Sequence, residues 1–252
     1  LTSSKIFKIC RSSEELFTCA AETFCQTAHN SITTRGRFSV ALSGGSTPKA
    51  LYQLLATAPY CEQVDWSKVY FFWGDERTVP PDHPESNYRM AYEAMLHKLA
   101  IPDSQIFPML ADKPDVQSAA TGYERALRSF FNLPPQQIPV FDLVLLGMGD
   151  DGHTASLFPH TAALFEQQNL VAANWVEKLN TYRLTLTVPV INQAHRIMFL
   201  VSGASKKPAL TEVLHGEYNP SLYPSQLISP VEGELVWIVD REAMPQELPT
   251  SE

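Results

Sequence analysis

Apolar residues in this chain gather in short unbroken runs instead of alternating with polar ones, most clearly Val-Tyr-Phe-Phe-Trp at 69–73 and Leu-Val-Leu-Leu at 143–146. A strand with one wet face shows a period of two, so unbroken runs predict strands buried on both faces, as in a parallel sheet covered by helices. Runs of this kind, each closed by Gly, Ser, Asp or Pro, are expected at Arg37–Ser43, Val69–Asp75, Phe141–Gly147, Arg183–Val188, Arg196–Ser202 and Leu235–Asp240. Helix-like segments fall between them at Ser13–His29, Pro48–Ala56, Asn87–Leu99, Val116–Phe131 and Lys206–His215. Strands alternating with helices predict an α/β fold, a mostly parallel sheet with helices on both faces. The proline-rich patches at Pro80–Pro84 and Pro134–Pro139 read as loops, with no shift in composition beyond either, so residues 1–252 are expected to form one domain.

In such sheets ligands collect at the carboxyl ends of strands. Four strand ends carry chemistry: Ser43-Gly-Gly-Ser-Thr-Pro48, Gly74-Asp-Glu-Arg77, Gly147-Met-Gly-Asp-Asp-Gly-His153 and Gly203-Ala-Ser-Lys206. In the first, Gly44 and Gly45 allow close backbone approach, Ser46 or Thr47 can cap the next helix, and Pro48 suits its first turn. Free N–H groups at that helix start suit a phosphate, although the G-x-x-x-x-G-K-[ST] spacing of a P-loop is absent. The third matches G-x-G-x-x-G, but Asp150 and Asp151 occupy the place of a pyrophosphate and would repel it, so a dinucleotide is not expected. Asp151-Gly-His153 offers proton transfer instead: a carboxylate two residues away can orient an imidazole that takes a proton from water and returns it to a leaving oxygen.

At the second strand end, Asp75 can orient a hydroxyl, assist proton transfer or, in place of Asp151, orient His153, and Arg77 can meet an anion or a developing oxyanion. Asn87 in Ser86-Asn-Tyr88 lines the same mouth or caps the next helix, whereas Glu76 and Tyr88 fit structural roles. The chain's formal charge of −8 over 252 residues argues against a nucleic-acid or acidic-membrane partner. An anionic substrate therefore needs a local cluster of cations, and Arg183 and Lys206 are placed to complete one. Lys207, about 100° further round its helix, is expected to face solvent. Cys10, Cys19, Cys25 and Cys61 form no C-x-x-C pair, which reads as free thiols in a reducing cytoplasm and disfavours a zinc site.

Taken together, Ala41–Pro48, Trp73–Pro80 with Ser86–Tyr88, Gly147–Pro159, Arg183-Leu-Thr-Leu-Thr, Gly203–Lys206 and Leu235–Asp240 resemble, in order, the motifs of the 6-phosphogluconolactonase family. The resemblance implies a modified Rossmann-like α/β fold, no metal or organic cofactor, and hydrolysis of 6-phospho-D-glucono-1,5-lactone in the oxidative pentose phosphate pathway. It further implies His153 as general base, with Ser43–Thr47, Arg183 and Lys206 holding the sugar phosphate. Related glucosamine-6-phosphate deaminases carry a glutamate where this chain has Phe158, which favours the lactonase over the deaminase alternative. A non-catalytic sugar-phosphate sensor is a further alternative, but the N-terminal stretch has too little room and positive charge for a DNA-binding module. The expected partner is a small sugar phosphate, and a monomer is favoured.

Overall fold

The computed structural model describes residues 4–112 and 115–245. Among these, the strands are β1 (Ser4–Cys10), β2 (Phe38–Leu42), β3 (Val69–Trp73), β4 (Asp75–Arg77), β5 (Ile106–Phe107), β6 (Leu143–Gly147), β7 (Val171–Val176), β8 (Thr181–Leu186), β9 (Arg196–Val201) and β10 (Glu234–Asp240). The α-helices are α1 (Ser13–Arg35), α2 (Ser46–Leu55), α3 (Asn87–Ala91), α4 (Val116–Phe131), α5 (Val188–Asn192) and α6 (Lys207–His215).

The unbroken apolar runs do build a buried parallel sheet. Seven strands lie in the order β1-β10-β9-β6-β2-β3-β5, and every neighbouring pair is parallel. Adjacent residues of β3 show why both faces must be apolar. Phe71 stacks on Trp66, which meets Phe24 of α1, whereas Phe72 packs against Phe130 of α4. Side chains alternate across a strand, so α1 and α4 cover opposite faces. Local chemistry sets the helix ends: Ser12 Oγ accepts from Glu15 N to start α1, and Gly36, at φ 77°, closes it on Ile32 O. No helix among the described residues is long and apolar enough to cross a membrane. All four cysteines are free thiols, and burial pushes Cys25 up to about 11.

The topology places the site. From β2 the chain moves outward through β3 to β5, then returns to lay β6 on the other side of β2 and continues outward through β9 and β10. The order reverses between β2 and β6, and the crevice outside such a switch point is where open α/β sheets bind ligands. The Ser43–Pro48 and Gly147–His153 loops leave the ends of those two strands.

Several expected boundaries need correction. The run opened by Arg183 is not part of the parallel sheet: Arg183 lies mid-strand in β8, and β8 pairs antiparallel with β4 and β7 in a separate three-stranded sheet. The Val69–Asp75 run breaks at Gly74, which joins the two sheets by donating to Leu42 O at 2.8 Å and accepting from Leu186 N at 2.8 Å. The segment from Asn87 is α-helical only to Ala91 and continues as a π-turn over Tyr92–Leu96. β1, β4, β5 and β7 were not expected from sequence.

Candidate active site

A cleft of about 260 Å³ opens at the switch point. Its floor is the Ser43–Thr47 loop, pinned from behind by Tyr52 of α2. Ser43 N donates to the Tyr52 hydroxyl at 2.9 Å, and that hydroxyl donates to Ser43 O at 2.8 Å. Gly45 stands at the N-cap of α2 and no side chain caps the helix, so its first N–H groups remain available to an anion. Gly44 must lack a side chain, because a Cβ there would lie 2.0 Å from Asn87 Oδ1.

Asn87 is fixed by the buried acids of β4. Glu76 accepts from the backbone N–H groups of Arg77, Asn87 and Tyr88 at 2.8 Å each and from Ser86 Oγ. Burial raises its pKa and those backbone donors oppose the rise, which fits the structural role expected of it. Tyr88 packs edge-on against Trp73. Asn87 Nδ2 donates to Asp75 O at 2.9 Å, and Asp75 Oδ2 accepts from Ser156 Oγ at 2.7 Å. Asp75 therefore lines the cleft held by Ser156 and makes no hydrogen bond to His153.

The other wall is the His153 loop. His153 Nδ1 lies 2.5 Å from Asp151 Oδ1, so of the two acids expected to orient the ring it is Asp151 that does so. Burial opposes ionisation of Asp151, but hydrogen bonds from His153 and Lys178 outweigh it and hold the carboxyl well below the usual range. A carboxylate on Nδ1 selects the tautomer with its proton there and leaves Nε2 as the acceptor. The ring lines the cleft and stacks on Phe158, with centroids 4.0 Å apart and planes at 22°. Gly149 makes room for it, since a Cβ there would sit 2.1 Å from His153 Nδ1.

The cations differ in how free they are. Lys206 lines the cleft but is paired with Asp150 at 2.6 Å, and Ser205 Oγ donates to the same carboxylate at 3.2 Å. Arg77 Nη1 donates to Glu85 O at 2.5 Å. Arg183 stands directly across the small sheet from Arg77 and, among the described residues, its side chain makes neither a hydrogen bond nor an ion pair. Burial, then the charge of Arg77, pull its pKa below the ordinary value. A half-buried guanidinium beside a second one, facing a cleft and ion-paired to none of the nearby acids Asp75, Glu76 and Glu85, is an arrangement completed by an anion.

Eleven of the twelve site residues named from sequence meet in this space: Ser43, Gly44, Gly45, Ser46, Thr47, Asp75, Arg77, Asn87, His153, Arg183 and Lys206. Asp151 stands behind His153. Lys207 does not line the cleft. Sequence reasoning assigned no role to Ser156, to the ring of Phe158 or to Lys178. The first two sit in the Gly147–Pro159 motif, whereas nothing in the sequence around Lys178 marks it. Among the described residues no group of three or more His, Cys, Asp or Glu is placed to hold a metal ion.

Residues 11–237 match the model of the family described as glucosamine-6-phosphate isomerases/6-phosphogluconolactonase. A 6-phosphogluconolactonase of Synechocystis sp. is 47% identical over 212 residues, covering 84% of this chain and 85% of that one. The solved 6-phosphogluconolactonase of Trypanosoma cruzi superposes with a TM-score of 0.84 at 32% identity, over 96% of this chain and 97% of that one. A monomeric glucosamine-6-phosphate deaminase shares the fold alone, with a TM-score of 0.77 at 22% identity over 94% of this chain and 98% of that one.

Proposed function

The chain belongs to the glucosamine-6-phosphate isomerase/6-phosphogluconolactonase family, and from that premise we propose that it is a lactonase acting on 6-phospho-D-glucono-1,5-lactone, with His153 as general base. The observation that carries this reading is a single cleft with an Asp151-oriented imidazole on one wall and the unpartnered Arg183 on another. The phosphate engages Arg183 and Arg77, the open N-terminus of α2 and Lys206, which it shares with Asp150. This gives Arg77 to the phosphate and leaves the oxyanion to backbone N–H groups of the cleft.

His153 Nε2 takes a proton from water as its oxygen attacks C1. Collapse of the tetrahedral intermediate breaks the bond from C1 to the ring oxygen, and the imidazolium returns the proton to that oxygen. Asp151 stabilises the transient imidazolium without itself taking the proton. Water attack fits better than a covalent serine route because no G-x-S-x-G elbow is present. The deaminase alternative needs further proton transfers, and the position of its glutamate is filled here by Phe158, stacked on the base. The reading takes residues 1–252 as one domain in the cytoplasm, acting on a small sugar phosphate without a metal or organic cofactor.

The test is consumption of fresh 6-phosphogluconolactone above its spontaneous hydrolysis, beside ammonia release from glucosamine 6-phosphate. Fast lactone opening with no ammonia is expected. Ammonia release with no acceleration of lactone opening would reverse the assignment.

A further inference from the structure

Asp151 offers two carboxylate oxygens, and each is taken by a different element. Oδ1 meets His153 Nδ1 at 2.5 Å, and Oδ2 accepts from Lys178 Nζ at 2.9 Å. Lys178 lies in the short turn Glu177–Leu179 that joins β7 to β8, and it does not line the cleft. The same hairpin carries Arg183 and grips the His153 loop a second time. Asn174 Nδ2 donates to Ser156 O at 2.9 Å, and Thr185 Oγ1 accepts from Ser156 N at 3.3 Å.

The geometry points to Lys178 as a positioning residue for the base: its ammonium fixes Asp151 so that Oδ1 faces His153, and it does so from the hairpin that bears the phosphate-facing Arg183. The inference rests on the reading of His153 as the base. An aspartate with one partner and a quarter of its side chain exposed is free to swing its carboxylate into water, and a cation on the second oxygen removes that freedom. A further charge near this carboxylate is Asp150, on the same loop, which is itself paired with Lys206.

The test is Lys178→Met, with Lys178→Arg beside it. The Lys178 side chain is 69% exposed, so neither change disturbs packing. The expected loss in kcat is about two- to fivefold, the scale of an exposed ion pair. KM for the phosphorylated lactone and inhibition by inorganic phosphate stay as in the wild type. The arginine variant restores kcat. Salt at about 1 M narrows the difference, because it screens Lys178 in the parent protein. Matching kcat at low salt would overturn the inference, as would a loss confined to KM. His153→Ala measured alongside separates the two ideas. Full activity in that variant removes the base reading, whereas its inactivity together with an unaltered Lys178→Met removes only the role of Lys178.

Discussion

Arg183→Met separates binding from folding. Most buried charges are paired, and truncating one leaves its partner stranded, at a cost of several kcal/mol. Arg183 has no protein partner to strand, and its charge is disfavoured first by burial and then by Arg77. Methionine keeps the unbranched apolar stem, so stability should stay within about 0.5 kcal/mol of wild type. The loss falls on the ligand. A hydrogen bond to a charged group contributes about 1.5–3 kcal/mol, so kcat/KM for 6-phosphogluconolactone should drop about 10- to 150-fold. Unphosphorylated D-glucono-1,5-lactone, which offers Arg183 no dianion, should be hydrolysed equally by both proteins. Initial rates of acid release on the two lactones, with a thermal melt of each protein, give all three quantities. Inorganic phosphate should raise the melting point of the wild type and barely move that of the variant. An equal drop on both lactones, or a melting point lower by several degrees, would refute the reasoning.

Further outcomes follow from the same geometry. Gly149→Ala puts a methyl group 2.1 Å from His153 Nδ1, so it should cut kcat at least tenfold while inorganic phosphate still binds, as read by titration calorimetry. Glu76→Ala leaves three backbone donors at the start of α3 and in β4 without their acceptor, and urea denaturation should show a loss of about 2–5 kcal/mol. The Asp151 carboxyl is held below its unfolded value of about 3.9, so its stabilisation is fully present above that value and fades as pH falls through the folded pKa. The stability advantage of wild type over Asp151→Asn should therefore not shrink between pH 7 and pH 5 and should be lost only below about pH 4; a gap that closes between pH 7 and pH 5 contradicts the assignment.

How much of this was legible in sequence depended on where each residue's surroundings came from. Val69–Trp73 announced itself because a central strand needs apolar residues on both faces. β1 did not, since Ser-Lys-Ile-Phe-Lys-Ile-Cys lies at the sheet edge and keeps much of its length exposed. β4 is three charged residues whose first two are buried, and no periodicity describes a strand whose acids are satisfied by α3 and Ser156. β7 carries the buried Asn174, which binds a loop instead of a core. The cleft was legible because Gly, Ser, Asp and His concentrate at strand ends, yet the choice between Asp151 and Asp75 needed distances. Lys178 was invisible because its partner lies 27 residues away and a lone surface lysine carries no pattern.

The most direct test of the central claim is kcat for 6-phosphogluconolactone, corrected for spontaneous opening, in wild type and His153→Ala, with phosphate-induced thermal stabilisation measured on both. The expected fall is about 10²- to 10⁴-fold, the usual contribution of a positioned general base, with phosphate stabilisation retained. Turnover in His153→Ala close to that of the wild type would contradict it.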